Sequence, residues 1–228
     1  MKNLPFDFYI RTKNDLVNAV KTFGFVPLLA GKIHGFSVEE HVDPSVWFES
    51  GTEGVWEWKG PVIRESGCAY GKFFENRAVF ICKEWFCDFA NYRRNGYDFD
   101  SKCDEGLVFY KDKDLYELLD KNAPVLSKKL KALGNFVRDG KKGFDTSINR
   151  LQSQCYVIIS DFKYEKDKNG KAYGWGIAEY STPEKFMGDF FTSNVYSRTP
   201  EQSYEKIFNH LKTLLPDADE EEIRKILK

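Results

Sequence analysis

Residues 156 to 180 contain YVIISDFKY, KDKNGK and AYGWGIAEY, two alternating apolar and polar runs joined through an Asn-Gly turn. That is the strongest short-range signal for a β-hairpin. A two-stranded ribbon with one apolar face is not stable alone in water, so the hairpin must dock on neighbouring structure. What precedes it in the chain is helical.

Three helices are predicted upstream. Asp114-Leu-Tyr-Glu117 has capping-box spacing, with Leu115, Leu118 and Leu119 as its stripe. Beyond Pro124, VLSKKLKALG supplies a second helix that buries Leu126, Leu130 and Leu133 and stops at Gly134. A third starts near Asp145. It turns Ile148, Leu151 and Cys155 inward and Thr146, Asn149, Arg150 and Ser153 outward. Three helices followed by a hairpin predict a winged helix over residues 107–180. Such a unit presents its third helix to the DNA major groove and its wing to phosphates. The expected DNA-binding residues are therefore Thr146, Asn149, Arg150 and Ser153 on the helix and Lys166, Lys168 and Lys171 in the wing. The same fold also serves as a protein-interaction or structural module.

Charge is unevenly placed. From Lys121 to Lys171 there are twelve Lys and Arg against five Asp and Glu, whereas the whole chain nets −1. Anionic partners suit this stretch and not the remainder.

Around it lie an N-terminal region, 1–106, and a C-terminal helical region, 181–228, packed on the core. Thr12 and Asp15 cap a first helix that Gly24 ends. Residues 25–106 are rich in aromatics within a chain of 20 Phe, 12 Tyr and 5 Trp, and they include a hairpin turning at Glu75-Asn76-Arg77. Trp47, Trp56, Trp58, Tyr70 and Trp85 are candidates to wall a pocket for a flipped base. The alternative is ordinary core, with Trp56 and Trp58 alternating along a strand. In NYRRNGYDFD, Arg93, Arg94, Asp98 and Asp100 read as a phosphate clamp or cation site, or as a structural salt-bridged turn. Downstream, Thr182, Thr199 and Asp219 are N-caps, and Ile207, Leu211, Leu214 and Leu215 dock the end of the chain. The fold class is α+β.

Several functions are disfavoured. No apolar run is long enough to span a bilayer, and Asp7 interrupts any signal-peptide core, so a cytoplasmic protein is expected. Five cysteines without a C-x-x-C pair indicate neither a disulfide framework nor a zinc site, and no nucleotide-binding glycine motif is present. No metal and no cofactor are expected.

The segments WEWKGP, CAYGKFF, KEWFCDFANYRRNGYDFD, KKGFDTSINRLQSQCYVIISDF and YGWGIAEYSTPE resemble those of the bacterial AlkZ-related family. The resemblance covers most of the chain and implies kinship with winged-helix DNA glycosylases that excise alkylated bases and unhook crosslinks. In those enzymes a Gln-x-Gln or Gln-x-Asp pair serves catalysis, which implies a catalytic role for Gln152 and Gln154. Residues two apart on an ideal helix differ by about 200° in direction. The two glutamines share a face only where the helix has ended by Leu151 and the chain runs extended. The leading expectation is a protein that binds double-stranded DNA. A monofunctional DNA glycosylase is the alternative, and a non-DNA module binding a small molecule or a protein is a third.

Overall fold

The structure, a computed structural model, describes residues 9–48, 53–166, 168, 170 and 172–228. Its first helix, α1 (Lys13–Phe23), carries the full Thr12–Asp15 capping box and stops at Gly24, whose φ of 79° suits glycine. Then follow β1 (Phe25–Pro27), α2 (Ser45–Phe48), α3 (Val55–Ser66), β2 (Ala69–Phe74), β3 (Arg77–Ile81), α4 (Lys83–Arg94) and α5 (Phe99–Asp104). The middle of the chain forms α6 (Tyr110–Asn122), β4 (Val125–Leu126), α7 (Ser127–Leu133), α8 (Phe144–Ser153), β5 (Ile158–Lys166) and β6 (Ala172–Ser181). Four helices finish it: α9 (Pro183–Met187), α10 (Asp189–Asn194), α11 (Pro200–Leu214) and α12 (Glu220–Leu227).

The six strands make one antiparallel sheet in the order β1-β3-β2-β5-β6-β4. Glu75 and Asn76 turn the β2–β3 hairpin with φ of 47° and 63°, as a tight two-residue turn demands. The second hairpin joins the first where Tyr70 faces Ile159, so the sheet runs across the boundary expected at residue 106. Alternating strand residues feed two cores. Val26, Tyr70, Phe80 and Ile159 pack with α1, α3, α6, α7 and α8, and Phe25, Val79, Ile81 and Ile158 pack with α4, α10, α11 and α12. An α+β protein results, with helices on both faces of the sheet.

Several expectations need correction. Trp56 and Trp58 stand on a helix, α3, and not on a strand. Val55, Trp58, Lys59, Val62 and Ile63 form its buried stripe, and Glu57 Oε2 caps the Gly54 N–H at 2.9 Å. The period-two look of WEW is outvoted by apolar spacing of three and four over a longer window. Helix α6 begins a turn earlier than Asp114 implies, which places Asp112 inside it. Leu133 is 45% exposed and not core. Cys155 is buried, but it lies past the end of α8 at φ 62° and packs in the second core, away from Ile148 and Leu151.

Candidate functional site

Helix α8 lies between α6 and β2, which leaves little of it free. Thr146 is exposed and Asn149 half-buried. Arg150 points away from the core but is engaged: Nη1 donates to Asp112 Oδ2 at 2.9 Å, and the guanidinium lies 4.2 Å from the centre of the Phe109 ring. Ser153 Oγ donates to the Arg150 carbonyl at 2.9 Å. Lys168 is exposed, whereas Lys171 and the Lys166 side chain lie outside the described residues.

Ion pairs tie the surrounding elements together. Lys131 pairs with Asp145 at 3.3 Å, linking α7 to the start of α8, and Lys128 pairs with Glu165, linking α7 to β5. Among the described residues Lys129, Arg138, Lys142 and Lys168 have no carboxylate partner, and all four are exposed. They sit on α7, on the loop leading into α8, and at the β5–β6 turn. Exposed, uncompensated cations of this kind meet anions at little desolvation cost.

The two glutamines diverge. Gln152 is buried, and its Oε1 accepts the Lys72 N–H of β2 at 3.2 Å. Gln154 follows the last helical residue half-exposed, and its Oε1 accepts from Lys102 Nζ at 3.2 Å. From Gln154 a polar network runs inward. The Lys102 ammonium lies 5.2 Å from the Tyr156 ring, and burial followed by the Arg94 charge holds it below the ordinary lysine range. Tyr156 and Tyr196 both donate to the Tyr97 carbonyl at 2.9 Å. Arg94, 1% exposed, donates to Tyr196 Oη at 3.1 Å, to Glu184 Oε1 at 2.7 Å and to the Cys155 carbonyl at 2.8 Å. Among the described residues Arg94 Nε and Glu184 Oε2 are buried without a partner. Burial, followed by the Glu184 charge, raises the Tyr116 phenol well above its ordinary range.

Arg93 and Arg94 therefore work as staples. Arg93 donates to the Ser153 carbonyl at 2.7 Å, the Leu227 carbonyl at 2.9 Å and the Phe73 carbonyl at 3.3 Å, with a further bond to the Lys228 carbonyl. Asp98 caps α5 by accepting the Ser101 N–H at 2.7 Å, the contact that does most to hold its carboxyl below the usual range. Asp100 is exposed nearby.

The aromatic candidates separate into two places. Trp47 meets Trp56 at 5.5 Å between ring centres, and Phe162 meets Tyr70 at 5.7 Å. Between them the Lys59 ammonium lies 4.7 Å from the Trp56 ring and 4.3 Å from the Phe162 ring. Trp58 is buried in the same core. Trp85 is elsewhere, stacked on His210 at 4.0 Å. Lys59 is the residue that sequence reasoning misses. Its signal is its place in the apolar stripe of α3, where a charge is out of keeping.

A family model described as "AlkZ related" matches residues 10–228, nearly the whole chain. The chain belongs to the AlkZ-related family. No curated protein and no solved structure matches it. In this AlkZ-related chain, then, Gln154 opens onto the tyrosine and arginine network, whereas Gln152 is spent on the backbone of β2. No described helix is long and apolar enough to cross a membrane. Among the described residues no group of three or more His, Cys, Asp or Glu is placed to hold a metal ion.

Proposed function

We propose that this AlkZ-related chain binds double-stranded DNA through a winged helix formed by α6, β4, α7, α8, β5 and β6. The order of these elements and the pairing of β4 with β6 support that reading. The observation that carries it is the set of exposed cations Lys129, Arg138, Lys142 and Lys168, unpaired among the described residues, on elements joined by the Lys131–Asp145 and Lys128–Glu165 pairs. Phosphate contacts dominate such binding and set its register, while base edges are left to Thr146 and Asn149 because Arg150 is engaged. The test is a salt titration of duplex affinity. Replacing Arg138, Lys142 and Lys168 together by Ala should reduce the slope of log affinity against log salt by about three. Absence of binding at low salt would overturn the reading.

Family membership together with the network at Gln154 favours a second reading, a monofunctional glycosylase that hydrolyses the N-glycosidic bond of an alkylated base. In it Gln154, with its oxygen held by Lys102, has amide N–H groups that make no bond among the described residues and can orient water. Of the tyrosines in the network Tyr196 is the exposed one, and its ring supplies a face on which a flipped base stacks. Incubation with methylated duplex should then yield abasic sites, and Gln154→Ala should abolish them while leaving duplex affinity within about twofold. Release of no base by the wild type from methylated or crosslinked duplex sinks this second reading.

A further inference from the structure

We infer that Lys59 is a carbonyl-reactive amine, which forms an imine with an aldehyde presented against the Trp56 and Phe162 rings. The placement is costly without such a role. Lys59 is a buried residue of α3, in the same stripe as Trp58, Val62 and Ile63. Among the described residues no carboxylate pairs with it. Asp161, the buried carboxylate of the facing strand, is already taken by Arg64 and Lys163, and Glu57 on the same helix caps Gly54. Burial without a close carboxylate favours the neutral amine, against the pull of the two rings and of Glu57 towards the charged form. Burial pushes Lys59 down to about 8, with the Glu57 charge acting in the opposite direction. A useful share of free amine then exists at neutral pH, the condition for imine-forming lysines.

The rings complete the site. The Trp56 and Phe162 rings lie 4.7 and 4.3 Å from the nitrogen, flat apolar surfaces that suit a flat or slender carbonyl compound, and Lys59 as a residue is 9% exposed. The nitrogen lone pair attacks the aldehyde carbon, and the carbonyl oxygen takes up a proton to give a carbinolamine. The nitrogen then loses its proton and the hydroxyl leaves as water while the C=N bond forms. Two sources present this chemistry, a small free aldehyde and the ring-opened deoxyribose of an abasic site in DNA. Only the second rests on the DNA reading.

The test uses the full chain. Limiting benzaldehyde with cyanoborohydride, which delivers hydride to the imine and fixes it as a secondary amine, is followed by peptide mass spectrometry. Lys59 should be modified about tenfold or more faster than the exposed lysines. Benzaldehyde adducts spread over surface lysines, with Lys59 spared, would overturn the inference, and because wild-type protein is mapped directly the result does not depend on how a variant folds. In a second arm, an abasic duplex with borohydride should give a covalent protein–DNA adduct at Lys59 that Lys59→Arg loses, with the salt-dependent binding of the same duplex measured in parallel. Benzaldehyde labelling of Lys59 without a DNA adduct upholds the amine and assigns it to small aldehydes, and normal duplex binding in that case leaves the DNA reading standing.

Discussion

Arg150 holds Asp112 at 2.9 Å beneath the ring of Phe109, so the one arginine that α8 turns outward balances a buried carboxylate on α6. Arg150→Ala leaves that carboxylate uncompensated and should lower stability by about 3 kcal/mol in urea unfolding. Combining it with Asp112→Leu should recover most of the loss. On DNA, Arg150→Ala should weaken all sequences alike, and selective loss on one preferred sequence would mean that the ion pair opens in the complex.

The glutamines should separate in the same way. Gln152→Ala strands the Lys72 N–H of β2 inside the protein and should cost about 1 to 3 kcal/mol. Gln154→Ala, at the half-exposed end of α8, should cost less than about 0.5 kcal/mol. Thermal unfolding of the two variants measures this directly, and equal losses would show that Gln154 is also structural.

Arg94 gathers Glu184, Tyr196 and the Cys155 carbonyl from three distant parts of the chain. Arg94→Met should therefore destabilise by about 3 to 5 kcal/mol. Glu184→Gln, on the partly exposed side of the pair, should cost far less. A chemical denaturation series gives both values.

Lys59 predicts a pH dependence whose sign can be worked out. Its folded-state value of about 8 lies below the ordinary lysine value, so between about pH 8 and that ordinary value the unfolded chain binds the extra proton. Stability from this group accordingly rises with pH across the window, and the penalty is complete below it. Lys59→Met should be more stable than the wild type at pH 7, by an amount on the order of 2 kcal/mol. The difference should shrink towards pH 10, as paired melts at each pH would record.

Local chemistry made much of the fold legible. Thr12 and Thr199 are capping boxes within four residues, and the Glu75–Asn76 turn and both hairpins follow from short patterns. Helix α3 misleads because WEW alternates over three residues while its burial repeats over nine. The Arg94 network is invisible in sequence for a different reason. Its partners at 155, 184 and 196 are far apart in sequence and meet Arg94 through the tertiary packing around α4, which includes α10. Lys59 is visible once 55–66 is read as a helix, since a lysine then stands where the stripe requires an apolar residue.

The meeting of Tyr70 with Ile159 makes the two hairpins one fabric. A fragment starting at residue 107 would carry β5 with one flank stripped of its neighbour, an open row of N–H and C=O groups beside Ile158 and Ile159. Such an edge recruits whatever strand is nearest, most readily one from a second identical fragment. The part of the chain proposed to bind DNA is thus not a detachable cassette. Transplanted without residues 69–81, it would exchange solubility for self-association.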